Sequence, residues 1–171
     1  MEKAKQFLES SEDEANRVSQ LVIHPHRVGH ECSFYEDFAL RGIRVDRVDP
    51  GLVSCTFTVP PRLTDKSGKL ATGAIANLVD EVGGAVVHVE GLPMNVSVDM
   101  SISFLSAAKV HVREDHSFSF LICNDELEIT SKVLGRKGGY AGTVVLVKNK
   151  LTGELIAEGR HSLFGKLPSK M

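Results

Sequence analysis

The chain has 171 residues, 20 Lys plus Arg against 22 Asp plus Glu, a formal net charge of −2, 42% apolar residues and 25% charged. That length fits one domain better than two, and the near-neutral balance excludes a broad electrostatic footprint for nucleic acid or a basic helix lying on a membrane. The longest apolar runs, Phe120-Leu121-Ile122-Cys123 and Val144-Val145-Leu146-Val147, fall far short of the ~20 residues of a spanning helix.

Three widely spaced cysteines, Cys32, Cys55 and Cys123, with no CxxC pair predict neither a disulfide framework nor a zinc knot, and they fit a reducing compartment. Residues 2–23 carry Ala4, Phe7, Leu8, Val18, Leu21 and Val22 at helical spacing. They are read as a peripheral helix without chemistry, so residues 1–35 form a helical extension ahead of a 36–171 domain. The segment has no apolar signal core and holds Glu2, Glu9, Glu12, Asp13 and Glu14, which argues against a secretory signal or an Arg-rich transit peptide. His24, His26 and His30, around Pro25, have no Asp, Glu or Cys partner at ligand spacing, so a surface loop is expected rather than a metal site.

From Gly42 the pattern is extended. Ile43, Val45 and Val48 lead to the turn Asp49-Pro50-Gly51. Val53, Cys55, Phe57 and Val59 then alternate with Ser54, Thr56 and Thr58 as a half-buried strand, with Cys55 in the core register. Between 72 and 90 the period becomes helical, with an apolar stripe of Ile75, Leu78, Val79, Val82, Val86 and Val89. A second face gathers Gly73, Ala76, Asn77, Asp80, Gly83, Gly84 and Val87, small residues for the most part with one carboxylate among them. Gly83-Gly84 costs roughly 1 kcal/mol per Gly relative to Ala, understandable where another backbone or a ligand approaches closely. A carboxylate in that stripe would be partly desolvated and suited to general-base work; the alternative is a solvated Asp80 on an exposed face beside Glu81.

At the start of this helix Thr72 is the expected N-cap, and the free N–H groups there, with the helix dipole, suit an oxyanion. Asp80 follows about two turns on, roughly 11 Å of rise away. A carbonyl bridges the two only by extending along the helix face or with a second subunit. A strand follows, with Val96, Val98, Met100, Ile102 and Phe104 expected on one face and Ser97, Asp99, Ser101 and Ser103 on the other. Strands are then expected over 126–134, 140–149 and 154–164, the last two joined by the Gly-containing loop Asn149-Lys150-Leu151-Thr152-Gly153. Two strands, a long helix and an antiparallel run predict an α+β fold with the helix on one sheet face.

The motifs Gly68-Lys69-Leu70-Ala71-Thr72-Gly73, Leu78-Val79-Asp80-Glu81, Val96-Ser97-Val98-Asp99-Met100 and Glu158-Gly159-Arg160-His161-Ser162, in that order, resemble the hotdog-fold acyl-CoA thioesterases. Within them they resemble the phenylacetate-type branch that includes thioesterase superfamily member 2. The resemblance runs from about 41 to 164 with one break. It implies a long central helix wrapped by a curved antiparallel sheet. The implied activity is hydrolysis of a fatty or aryl acyl-CoA to free acid and coenzyme A, without metal or cofactor. The implied assembly is a homodimer with active sites between subunits, usually paired into a homotetramer.

By the same resemblance Asp80 falls on the catalytic carboxylate, general base or nucleophile. Thr72 and Gly73 fall on the oxyanion turn, and Ser97 on a serine that positions water or leaving group. Asp65 falls where an Asn commonly orients the thioester carbonyl, and His161 on a site-lining histidine. Phe104, Leu105, Ser106, Ala107, Ala108 and Lys109 fall on one set of coenzyme A contacts. Gly135, Arg136, Lys137, Gly138, Gly139 and Tyr140 fall on another, where the glycines expose backbone N–H groups beside two cations.

Three departures stand out. The family's His-Gly-Gly turn is Ala71-Thr72-Gly73, Asp65 replaces the usual Asn and loses a donor unless protonated, and 110–124 is longer than the family connection. That stretch is read as a surface loop, because His111, Arg113, Glu114, Asp115 and His116 make its first half polar. The competing outcome is an extra strand in the sheet, since Phe118, Phe120 and Ile122 alternate with Ser119 and Leu121. The rival functions are a non-catalytic acyl-CoA-binding module and a hydratase, the latter disfavoured by Ala71. Pro168-Ser169-Lys170-Met171 differs by one residue from a Ser-Lys-Leu peroxisomal ending, so the expected location is peroxisomal or cytoplasmic.

Overall fold

A computed structural model describes residues 9, 12–21, 34–89, 96–114 and 120–165. Half of the helix expected over 2–23, the residues His24, His26 and His30, and the Ser169-Lys170-Met171 tail lie outside these. The chain divides into two units, Met1–Phe38 and Ala39–Met171. In the first, helix α1 spans Glu12–Ser19, with Val18 and nearby Leu21 both exposed. Helix α2, Phe34–Leu40, opens with stacked rings of Phe34 and Phe38, 5.9 Å between centroids.

In the second unit a six-stranded antiparallel sheet has the order β1-β2-β6-β7-β8-β3. Its strands are β1 Ile43–Asp49, β2 Leu52–Thr58, β3 Val96–Phe104, β6 Glu126–Lys137, β7 Tyr140–Asn149 and β8 Leu155–Phe164. Each begins and ends close to where the alternation and the turn residues put it. Gly51 takes φ 71° to close the β1–β2 turn, a conformation open to Gly at little cost. Asn149 Oδ1 accepts the Leu151 and Thr152 N–H groups at 3.0 and 3.1 Å, holding the β7–β8 loop.

Helix α3, Thr72–His88, packs on one face of the sheet. Its stripe of Ile75, Leu78, Val79, Val82 and Val86 meets Phe57, Leu127, Ile129, Val145, Val147 and Ile156 in a single core. Cys55 is buried in that core and its thiol is pushed up to about 11 by burial, so it is a packing residue. The helix sits very close to β8: a Cβ added at Gly159 would lie 2.4 Å from Cγ1 of Val79. No described helix is long and apolar enough to cross a membrane.

The stretch 110–124 corrects the loop reading. It forms a separate two-stranded sheet, β4 Val110–Glu114 against β5 Phe120–Asn124, rather than a loop or a further strand of the main sheet. The charged residues of its first half do not prevent extended pairing: Arg113 sits opposite Leu121 and Glu114 opposite Phe120. Its base is tied down by backbone bonds, Val110 N–H to Gly68 O at 2.9 Å and Asp125 N–H to Lys109 O at 3.0 Å.

Candidate active site

Strict alternation along β3 would put Ser97 on the face opposite Met100. A bulge between Ser97 and Asp99 prevents this. Ser97 pairs with Leu163 and Met100 with His161, two residues on one face of β8, so Ser97 joins Met100, Ile102 and Phe104 on the side that faces the helix. Asp99, paired with Ser162, turns to the other side, and the expected grouping of Ser97 with Asp99 is corrected. One extra residue in one strand is enough to flip the register.

The result is a convergence on Asp80. Ser97 Oγ donates to Asp80 Oδ1 at 2.7 Å. His161 Nε2 lies 3.2 Å from the same oxygen, without the alignment of a hydrogen bond, and neither ring nitrogen has a hydrogen-bond partner among the described residues. Burial pushes the His161 pKa down, more strongly than Asp80 draws it up. The ring is therefore neutral at neutral pH and offers Asp80 a polar neighbour rather than a fixed cation. Asp80 itself keeps a 40% exposed side chain, so its own chain does not supply the desolvation that the small-residue stripe suggested.

That stripe has a different cause at Gly83. A Cβ there would lie 2.7 Å from His161 Nδ1 and 3.3 Å from both Thr143 Oγ1 and Val145 Cγ2. The missing side chain lets α3 settle onto β7 and β8 of its own chain, beside the histidine, rather than onto a neighbouring molecule. Thr143, a residue that the sequence reading passed over, is buried below and donates its hydroxyl to the His161 carbonyl at 3.3 Å. Only its place in the inward register of β7 could have pointed to it.

At the other end of α3 the expected N-cap is corrected. Ala71, at φ −63° and ψ 142°, is the capping position and no side chain caps the helix. Thr72 is the first helical residue, because its extended predecessor already accepts the bonds of Ala74 and Ile75 N–H. Thr72 and Gly73 remain exposed, with first-turn amides that no helical carbonyl can reach. Roughly 11 Å of helix rise still separates them from Asp80; one chain does not bring them together.

Asp65 is committed elsewhere. Its Oδ1 accepts the Ser67 hydroxyl and N–H, both at 2.8 Å, and the Lys69 N–H at 3.1 Å. These bonds, the Ser67 hydroxyl foremost, hold its carboxyl below the usual range. It is therefore ionised at neutral pH and has no proton to donate to a carbonyl.

The two expected coenzyme A segments lie at opposite ends of β8. Phe104 pairs with Ala157, and Tyr140 with Phe164, about 23 Å apart at ~3.3 Å per residue. At the first end, Leu105 and Ser106 N–H both bond to Ile156 O, at 2.9 and 3.1 Å. The Ser106 hydroxyl donates to Glu154, Ala107 is half-buried, Ala108 is wholly buried, and exposed Lys109 bonds through its N–H to Asp125 Oδ2 at 2.7 Å. At the second end, Gly135 follows a bulge and exposed Lys137 ends β6. Gly138, at φ 59°, and Gly139 make the turn, and the Tyr140 ring packs on Phe164 with centroids 4.8 Å apart. Arg136 reaches the Val87 carbonyl at 3.4 Å, a cation on the negative end of α3.

With this geometry in view, the comparisons with known proteins are decisive. The human protein acyl-coenzyme A thioesterase 13 is 36% identical over 114 residues, 66% of this chain and 72% of the relative. The chain belongs to the hotdog-fold thioesterases. The mouse thioesterase 13 is 32% identical over 127 residues, 74% of this chain and 81% of the relative. Zebrafish thioesterase superfamily member 2 superposes with a TM-score of 0.64 at 32% identity, covering 75% of this thioesterase and 86% of that chain. A hypothetical thioesterase of Streptococcus pneumoniae, solved with coenzyme A, shares the fold at a TM-score of 0.63 and 21% identity, over 74% of this chain and 87% of its own. No family model matches the sequence.

Proposed function

We propose that the protein hydrolyses acyl-CoA thioesters, with Asp80 as general base. The observation that carries this is the convergence of Ser97 Oγ and His161 Nε2 on Asp80 Oδ1. With Oδ1 loaded by the serine, Oδ2 is the oxygen left to take a proton from water, and the 40% exposure of the side chain lets that water arrive. Water oxygen attacks the thioester carbonyl as its proton passes to Asp80. Collapse of the tetrahedral intermediate breaks the C–S bond, and the departing sulfur takes the proton from Asp80, releasing coenzyme A as the thiol and regenerating the carboxylate. The relatives named acyl-coenzyme A thioesterase 13 and the coenzyme-A-bound neighbour support this choice of substrate class.

The site is completed by a second copy. β3 is an edge strand with one unpaired side, and Val96, Val98, Met100 and Phe104 on it are 64%, 54%, 37% and 47% exposed. A long apolar edge of this kind is a template for strand pairing unless covered. In the dimer that the family resemblance implies, the Thr72–Gly73 amides of one chain would meet Asp80 of the other. That dimer also lets the two separated coenzyme-contact segments come from different chains.

Two measurements test the reading. Incubation with acyl-CoAs of graded chain length is expected to release free thiol, and sedimentation to show a dimer or a larger assembly. Binding without thiol release would make the protein an acyl-CoA-binding module, water addition to an enoyl-CoA would make it a hydratase, and an active monomer would remove the shared site.

A further inference from the structure

One polar group on α3 has no part in the reaction just described. Asn77 is 8% exposed, and its amide Nδ2 is buried with no hydrogen-bond partner among the described residues. Buried polar groups are almost always paired, and an orphaned donor lowers stability. An orphaned donor on the stripe that carries Asp80 suggests a partner that arrives with substrate.

Position and chemistry both fit a carbonyl. Asn77 lies three residues before Asp80 on the same helix, where side chains are neighbours with about 5–6 Å between Cβ atoms. It also lies on the N-terminal side of Asp80, so it falls inside the interval that separates the carboxylate from the Thr72–Gly73 amides. Ala71 has no polar atom, and Asp65 is ionised and tied to its own turn, so neither supplies a side-chain donor to a carbonyl. A thioester carbonyl held beside Asp80 needs a donor that tightens as charge develops on its oxygen, and a donor already stripped of water is worth more than a hydrated one.

Resting on the thioesterase reading, we propose that Asn77 Nδ2 is the side-chain donor to the thioester carbonyl oxygen, turning about its broad terminal torsion to meet substrate next to Asp80. The free protein then carries an unsatisfied amide that substrate satisfies, so stability and activity pull in opposite directions at this position.

The test compares the native protein with Asn77→Leu, which keeps the size and removes the donor. Two unreactive ligands separate the roles. One is a ketone analogue of acyl-CoA, with a methylene between sulfur and carbonyl; the other is a thioether analogue with no carbonyl. Asn77→Leu is expected to lower kcat by about 10²–10³-fold, the range for loss of one oxyanion donor. It should weaken the ketone analogue by about 5–10-fold, the worth of one hydrogen bond, leave the thioether analogue unchanged, and keep or raise Tm. Unchanged kcat, equal weakening of both analogues, or a fall in Tm together with dissociation of the dimer would overturn the proposal; the last would assign the amide to the contact between copies. A native protein that releases no thiol from any acyl-CoA and does not prefer the ketone would overturn the thioesterase reading itself, whereas native turnover retained in Asn77→Leu overturns only the role of Asn77.

Discussion

Asp80→Asn is expected to lower thiol release from acyl-CoA by at least about 10²-fold, the lower end for removing a general base, while leaving the fold intact. The substitution is nearly isosteric and keeps an oxygen to accept the Ser97 hydroxyl, so the contact at 2.7 Å can persist. What it removes is the basic oxygen proposed to take the proton from water. Because the side chain is 40% exposed and packs at the border of the core rather than inside it, its exchange should move Tm by less than the roughly 2–4 °C that ~1 kcal/mol is worth in a domain this size. Turnover retained in a folded Asp80→Asn protein would transfer the chemistry to another group.

Much of this site was legible in the residue order, and the part that was not has a physical cause. The helix, its apolar stripe and the last three strands follow from periodicity alone, since burial of one face imposes 3.6 or 2 as a repeat. Asp80 could be singled out because it was the lone carboxylate in a stripe of small residues. The contact between Ser97 and Asp80 could not be derived from alternation, because the β3 bulge breaks the period of two between Ser97 and Asp99, and nothing in Val96-Ser97-Val98-Asp99 marks which residue is the extra one. The hairpin of β4 and β5 was misread because the polar residues in Val110-His111-Val112-Arg113-Glu114 do not prevent backbone pairing, which composition alone does not reveal. Likewise the commitment of Asp65 to its own turn depends on Ser67 and Lys69 amides. That is local geometry which Thr64-Asp65-Lys66-Ser67 permits without requiring.

Two glycines at the contact between α3 and the sheet should respond to the same substitution in different ways. At Gly159 an added methyl would lie 2.4 Å from Val79 Cγ1, 3.0 Å from Cγ2 and 3.3 Å from Cβ. A β-branched side chain on a helix has almost no rotamer to escape into, so Gly159→Ala has to push α3 off the sheet. Overpacking of this kind costs about 1–3 kcal/mol, expected as a Tm lower by roughly 2–12 °C. At Gly83 the methyl would meet His161 Nδ1 at 2.7 Å, and here the helix recovers up to about 1 kcal/mol because Ala is the better helix former. Gly83→Ala is therefore expected to keep Tm near its native value while displacing the imidazole from its place 3.2 Å from Asp80 Oδ1. A shift on the order of 1 Å in a catalytic constellation costs about 10²-fold in rate, so kcat should fall by that order with stability preserved. Calorimetry and thiol release on the two variants separate packing from positioning. If Gly83→Ala hydrolyses acyl-CoA at the native rate, the close approach of α3 to His161 serves the core alone, and His161 has no part in holding Asp80.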